Sequence, residues 1–253
     1  MADANAKPVR KIEGQKSLLG RTMHAIAYDE IHDEFLVPQQ FGQAILTFAG
    51  DANGEVPPKR IIQGSKTRLQ APDRLGLDAV HNEIYVPEDA LLVYDREAQG
   101  NVAPIRVIEG PDTGLGASAV AADPINNLLI VATGGGGGGT KFRIFNRTDN
   151  GNVKPKMVIG GPRSLGGPFT IYPQKKLIFA TDRVAGELAS DDSYLGIWSY
   201  EKDGATAPIW RIGGPHGVFQ MPRGVALDVK NKSIIASDKR LNSVLTFYFP
   251  DVF

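Results

Sequence analysis

Short runs of apolar, β-branched and aromatic residues alternate with polar turns along the whole chain. The first unit holds three such runs, AIAYD at residues 25–29, EFLVP at 34–38 and AILTF at 44–48, and then a run that contains proline. Runs of this length and composition predict β-strands. Asn-Gly and similar pairs between the third and fourth runs predict tight hairpins, so each unit is expected to be an antiparallel meander of four strands. No 3.6-residue periodicity persists, which predicts almost no helix.

The proline-containing run recurs five times in nearly the same form. It is KPVRKIEG, PPKRIIQG, APIRVIEG, KPKMVIGG and APIWRIGG, starting at residues 7, 57, 103, 154 and 207. A repeat of this period is typical of stacked supersecondary units, and four-stranded meanders around an axis form β-propellers. The sequence therefore predicts an all-β fold, a five-bladed β-propeller of four-stranded antiparallel blades in a single domain spanning residues 1–253. The predicted blades cover residues 22–63, 71–109, 117–160, 167–213, and 222–249 together with 7–13.

The two ends of the chain carry complementary parts of one unit. Residues 7–13 form a fourth strand that no third strand precedes, and residues 243–249 form a third strand that no fourth strand follows. Pairing the two would complete the last blade and remove an exposed sheet edge. We therefore expect residues 7–13 to pair with residues 243–249 and to close the ring.

The strand pair GVALD and SIIASD, at residues 224–238, resembles the repeats of NHL-type propellers and of the related YncE-like and gluconolactonase-like propellers. The resemblance covers the whole chain. The chain lacks the Trp-Asp dipeptide of WD40 blades, and its five units are fewer than the six common in NHL-type rings. Propellers of this general type include protein-binding and RNA-binding modules, calcium-dependent lactonases and lyases. The resemblance therefore implies a scaffold, not a particular chemistry.

The composition argues against several classes of function. Lys and Arg together number 28, as do Asp and Glu, so no basic field favours nucleic acid. The absence of cysteine excludes disulfides, zinc–thiolate sites and thiol nucleophiles. No run approaches the roughly 20 apolar residues of a membrane helix, and the polar start MADANAKP does not resemble a signal peptide. We expect a soluble protein without nucleic-acid or membrane partners, either cytoplasmic or, if a leader is missing from this sequence, secreted or periplasmic.

Propeller topology puts the fourth-to-first and second-to-third connections on one face, here called the long-loop face. The position before each first strand holds, blade by blade, His24, Asp73, Ser118, Pro168 and Arg223. Ring closure would make Arg223, His24 and Asp73 neighbours at the mouth of the central channel. Asp orients a neighbouring His and raises its basicity, and Arg binds carboxylates or oxyanions, so these three are the predicted catalytic residues. The alternative is a salt-bridged plug without chemistry. His32 and His81 lie in the turns between first and second strands, and their position on a turn surface accounts for them without a functional role.

Further polar residues mark the long-loop face as a ligand-binding surface. The predicted ligand-binding residues are Ser118, Gln39, Glu88, Asp182, Asp238 and His216. Carboxylates at a channel mouth suit Ca²⁺ or paired acid–base work on a glycoside, although Asp at a strand end is also ordinary turn chemistry. A zinc site with three histidines is disfavoured because only His24 lies at the inferred axis. The sequence thus does not identify a cofactor, and Ca²⁺ is the metal ion that these residues would suit.

Two loops of the long-loop face are unusual. Residues 134–139 are six consecutive glycines, and the insert at residues 183–193 carries Glu187, Asp191 and Asp192. The glycine run contains a G-x-G-x-x-G pattern, but no helix follows it, so dinucleotide binding is disfavoured. The run predicts a mobile flap or spacer. Loops of unequal length predict a rim that carries binding specificity, or else insertions that are merely tolerated.

Two classes of function fit these features. The first is a non-catalytic propeller that holds a small molecule, a glycan or a protein on the long-loop face. The second is a lactonase-like hydrolase or lyase in which His24 is the general base, Asp73 orients it and Arg223 fixes an anionic group, with a hard cation near Asp182 and Asp238. No G-x-S-x-G motif or other catalytic signature is present, so binding is the preferred prediction.

Overall fold

The computed structural model describes residues 7–21, 23–134, 139–165, 167–182, 192–204 and 207–253. It is an all-β, five-bladed β-propeller, which confirms the predicted fold class. The described ranges contain no α-helix. Their helical segments are short 3₁₀ turns at Gln15–Ser17, Pro111–Thr113, Pro173–Lys175 and Pro250–Val252.

The blades follow one another in chain order, each as an antiparallel meander. Blade 1 contains β1 (Ala27–Asp29), β2 (Glu34–Gln39), β3 (Ala44–Ala49) and β4 (Arg60–Gln63). Blade 2 contains β5 (Gly76–Asp78), β6 (Glu83–Pro87), β7 (Leu91–Asp95) and β8 (Arg106–Ile108). Blade 3 contains β9 (Ala117–Asp123), β10 (Leu128–Thr133), β11 (Lys141–Asn146) and β12 (Met157–Gly160). Blade 4 contains β13 (Thr170–Tyr172), β14 (Leu177–Asp182), β15 (Tyr194–Ser199) and β16 (Trp210–Gly213), and blade 5 contains β17 (Pro222–Asp228), β18 (Ser233–Asp238) and β19 (Ser243–Tyr248).

The hydrophobic core lies between the blades. Successive residues of a strand point to opposite faces of its sheet, so each central strand serves two junctions. In blade 2, Ile84 and Leu92 pack toward blade 1, whereas Tyr85 and Val93 pack toward blade 3. Further clusters join blades 3 and 4 and blades 4 and 5. This arrangement explains why the strands are apolar on both faces.

Aspartates at the ends of the first strands close the first turn of most blades. Asp29 accepts hydrogen bonds from the backbone N–H groups of Ile31 and His32, both at 3.0 Å, and also contacts the His32 ring. Asp78 contacts His81 in the same way. Both histidines are therefore turn residues, as the sequence predicted.

The predicted pairing of residues 7–13 with residues 243–249 is not formed in the structure. Blade 5 is a three-stranded sheet in which β19 pairs with β18, and the N-terminal segment bonds instead to the hairpin of blade 1. There the Glu13 N–H donates to the Gly54 carbonyl at 3.2 Å, and the Gly54 N–H donates to the Lys11 carbonyl at 2.7 Å. These bonds hold the segment on blade 1 without bringing blade 5 to it.

Blades 5 and 1 are consequently separated by an open seam. The cluster on this side of blade 1 contains Leu46 and Phe48, covered by Ile12 and Leu19, and its described members include no residue of blade 5. The other four junctions are filled by hydrophobic clusters. The seam, defined here as the facing surfaces of blade 1 with residues 7–13 and of β19, is the one departure from the predicted ring among the described residues.

Candidate functional site

A chain of polar contacts crosses three blades on the long-loop face. The Nδ1 atom of His24, before blade 1, contacts the carboxylate of Asp73, before blade 2. The other oxygen of Asp73 lies 3.6 Å from Nε of Arg74. Arg74 in turn donates from Nη1 to the backbone carbonyl of Ser118, on β9 of blade 3, at 2.8 Å. His24 and Asp73, at equivalent positions of successive blades, therefore meet directly, and Arg74 links Asp73 to blade 3.

A cavity of about 320 Å³ lies beside this chain, between blades 2 and 3. Its lining consists of Ala71, Asp73, Arg74, Pro87, Glu88, Asp89, Gly116 and Ser118. Three of the sequence-predicted residues, Asp73, Glu88 and Ser118, thus share one pocket, and His24 borders it through its contact with Asp73. Three carboxylates and one guanidinium give the pocket an acidic lining.

Glu88 is only partly available to a ligand. Its Oε1 atom accepts hydrogen bonds from the backbone N–H groups of Gln70 at 3.0 Å and Ala71 at 3.2 Å. Burial raises the pKa of the Glu88 carboxyl group, and these two hydrogen bonds oppose the effect. Glu88 therefore both anchors the loop that leads into blade 2 and lines the cavity.

Asp182 and Asp238 occupy the same position at the ends of the second strands of blades 4 and 5, and both are buried. The backbone N–H of Arg163 donates to Asp182 at 2.6 Å, and Nε of the same residue donates at 2.8 Å. One oxygen of Asp238 accepts from the N–H of Met221 at 2.9 Å, and the other accepts from that of Leu241 at 3.0 Å. Both carboxylates tie loops to their own blades.

We expect Asp238→Ala to lower the free energy of unfolding by about 2 kcal/mol, because buried backbone N–H groups lose their acceptor. Two further donors, the N–H groups of Gln220 and Arg240, share this carboxylate. Urea unfolding monitored by tryptophan fluorescence measures the loss. Asp51→Ala, at an exposed turn position, is the matched control and should change little. Equal stability of the two variants would contradict the anchoring role of Asp238.

The other predicted residues lie apart from the cavity. Gln39 accepts a hydrogen bond from the Gly42 N–H at 2.6 Å. His216 lies in the loop before blade 5 with a left-handed backbone, φ 64°. Arg223 lies on β17, and its carbonyl packs so closely on Gly167 that a Cβ there would overlap it. Arg223 is therefore positioned against blade 4, and its membership of the His24 cluster stays a prediction.

Arg74 and Asp89 are charged residues of the pocket that were not among the predicted site residues, and Arg74 left a signal in the sequence. The residues that follow His24, Ser118 and Arg223 are Ala25, Ala119 and Gly224, so a charged residue after Asp73 interrupts an otherwise uncharged repeat position. That departure was the available signal. The loop predictions cannot be placed in the same way, because residues 135–138 and 183–191, which include Glu187 and Asp191, lie outside the described residues.

Within the described ranges, no group of three or more His, Asp or Glu side chains is arranged to hold a metal ion. Nor does any helix in that part of the chain have the length and apolar character needed to cross a membrane.

This chain resembles known proteins in structure and not in sequence. No family model matches the chain, and no curated protein sequence matches it. Hydrazine synthase of Kuenenia stuttgartiensis is 13% identical with a TM-score of 0.59, over 90% of this chain and 76% of that one. A chain of a nidogen/laminin complex is 14% identical with a TM-score of 0.57, over 90% and 81%. The β-propeller domain of Cps50 (Swd1) from Myceliophteria thermophila is 10% identical with a TM-score of 0.60, over 96% and 68%.

These likenesses show a shared β-propeller fold. At such low identity they carry no information about the ligand, because one scaffold hosts many functions.

Proposed function

We propose that this protein is a binding propeller that holds a small polar ligand in the cavity between blades 2 and 3. The observation that carries the proposal is the pocket itself, which contains Asp73, Glu88 and Ser118 beside His24. Its volume of about 320 Å³ lies at the lower end of the range for small-molecule sites. Membership of the NHL-type, YncE-like or gluconolactonase-like propellers is part of this proposal.

The charges of the pocket favour a ligand with an amino group. Asp73, Glu88 and Asp89 supply three carboxylates, whereas Arg74 is the pocket's guanidinium and already contacts Asp73 and the Ser118 carbonyl. A ligand ammonium group would gain charge-assisted hydrogen bonds from such oxygens. Hydroxyl groups of the same ligand would bond to the Ser118 hydroxyl and to the remaining carboxylate oxygens. An amino sugar has both features.

A lactonase-like hydrolase or lyase is the second candidate. His24 contacts Asp73, and this is the arrangement of a general base with the carboxylate that orients it. Binding requires only the pocket. Catalysis requires in addition a group that stabilises developing charge at the reacting atoms, a role for which Arg223 is the predicted residue.

Calorimetric titration with glucosamine and with glucose tests the binding proposal. We expect glucosamine to bind and glucose to bind at least about tenfold more weakly, because the two differ at one amino group and tenfold corresponds to about 1.4 kcal/mol. Asp73→Asn should weaken glucosamine binding about tenfold, while Asp251→Asn, outside the pocket, should not. No difference between the sugars, or none between the variants, would overturn the amine-binding site. Turnover of lactones or esters that Asp73→Asn abolishes would establish the enzyme instead.

A further inference from the structure

The open seam exposes residues that are core elsewhere in the propeller. Val244 on β19 is 71% exposed, whereas Ile45, at the same position of the third strand in blade 1, is 1% exposed. Ile26, before β1, is 68% exposed, whereas Leu75, its equivalent in blade 2, is 8% exposed. The repeat thus places junction residues on both sides of the seam, and no blade covers them. Apolar side chains exposed at positions that are core elsewhere in the repeat favour an interaction site.

Each side of the seam lacks the strand that the other side carries. In blade 1, the outer strand β4 pairs with β3 and also bonds to the next hairpin, where the Gln63 N–H donates to the Gly100 carbonyl at 3.1 Å. Residues 11–13 bond to the Gly54 hairpin in the same way as Gln63 bonds to Gly100, but no third strand of the described residues pairs with them. Among the described residues, β19 pairs only with β18, so its outer edge has no fourth strand.

The register of the missing pairing follows from blade 1. There Ile45 lies opposite Ile62, and Thr47 lies opposite Arg60. Aligning the repeats places Val244 opposite Ile12 and Thr246 opposite Arg10. Val244 and Ile12 would then share one face, directed at the Leu46 and Phe48 cluster of blade 1, as Ile45 and Ile62 are directed at blade 2.

We propose that the seam is a self-association surface on which blade 5 of one copy docks against blade 1 and residues 7–13 of a second copy. Both halves of this junction belong to the same chain, and within one copy they stand apart. A second copy supplies each half with the strand and the apolar face that it lacks. The resulting contact repeats the blade-to-blade packing already present at four junctions. It is heterologous, so copies join head to tail.

Disulfide trapping between two single variants tests this proposal, and the chain contains no cysteine of its own. Arg10→Cys and Thr246→Cys alter exposed residues that face each other in the proposed register. Directly opposed residues of an antiparallel pair are close enough for a disulfide. Purified Arg10→Cys and Thr246→Cys proteins, mixed and oxidised gently, should give a mixed disulfide between the two proteins, identified by mass spectrometry. Arg10→Cys mixed with Lys230→Cys, an exposed turn residue, is the control.

The Arg10→Cys/Thr246→Cys double variant separates the two ways of filling the seam. Disulfides between chains support the second copy. A disulfide within one chain, with no mixed disulfide from the single variants, would show that the ring closes on itself and would overturn the proposal.

Light scattering coupled to gel filtration provides the second measurement. The unmodified protein should have a mass above that of the monomer, rising with concentration. Val244→Glu should return it to the monomer, because a charge would be buried at the junction. Val80→Glu, an exposed turn residue of blade 2, should not. A monomeric unmodified protein at every concentration would overturn the proposal.

Discussion

Replacement of Glu34 by glutamine is expected to lower the free energy of unfolding by about 3 kcal/mol. Glu34 is 3% exposed and lies at the centre of a cluster of positive charges. Its carboxylate contacts Lys59 at 2.6 Å, Arg96 at 2.9 Å and the guanidinium of Arg60. Glutamine keeps the shape of the side chain and removes its charge, so partly buried Arg60 loses its contact with a carboxylate and buried Arg96 keeps only Asp29 and exposed Glu97.

The position of Arg96 makes this loss affect two blades. Arg96 follows β7 of blade 2 and reaches back to Glu34 of blade 1, so the ion pair links the junction that the apolar cluster also fills. Arg147 of blade 3 reaches Glu83 of blade 2 at 2.9 Å in the same way. The same polar connection therefore occurs twice along the ring, at the edge of the apolar layers.

Acid should remove the contribution of Glu34 in a defined pH window. The hydrogen bonds from Arg60 lower the pKa of the Glu34 carboxyl group from its ordinary value of 4.5 to about 2. Because the pKa is lower in the folded protein, the stabilisation is fully present above the unfolded value and is lost as the pH falls from 4.5 toward 2. Glu34→Gln should lose less stability than the unmodified protein over this window.

Urea unfolding at neutral pH and across the acid window measures both effects. Glu97→Gln is the matched control, because exposed Glu97 contacts the same Arg96 at 2.8 Å. An ion pair with an exposed partner contributes about 0.5 kcal/mol, so this variant should remain close to the unmodified protein. Equal losses of unfolding free energy in the two variants would show that the burial of Glu34 does not strengthen its contribution to stability.

The fold was predictable because the information that specifies it is local and repeated. Strand order, hairpin turns and blade number all follow from the recurrence of runs such as PPKRIIQG, and the structure has these elements. The same recurrence aligns His24 with Asp73 in adjacent blades, which is why their contact was predictable without a structure. Both residues lead into the first strands of neighbouring blades that pack on each other, β1 and β5.

Pairing across the seam was not predictable in this way. The repeat predicted residues 7–13 as an outer strand, whereas the structure has only an isolated bridge there, between Ile12 and Gly54. The repeat did not specify which third strand residues 7–13 pair with. The unpaired edge of β19 could accept this segment from its own chain or from a second copy, and the sequence is the same in both cases. Likewise, the sequence located Asp182 and Asp238 at strand ends but not the backbone donors that occupy their oxygens.

Phe142→Ala is expected to have the largest effect on stability, a loss of about 4 kcal/mol, because it removes a fully buried ring and leaves a cavity. Its ring centroid lies 5.1 Å from that of Phe169 and 6.0 Å from that of Trp198, between blades 3 and 4. Phe41→Ala, at an exposed position, should cost little. Urea unfolding measures both variants.

The same variant should also change the shape of the unfolding transition. Because blades 5 and 1 are apart, blades 4 and 5 are held to the rest of the protein mainly through the junction of blades 3 and 4. Phe142→Ala should therefore separate the transition into two steps. A single transition with a loss below about 1 kcal/mol would contradict the central place of this ring.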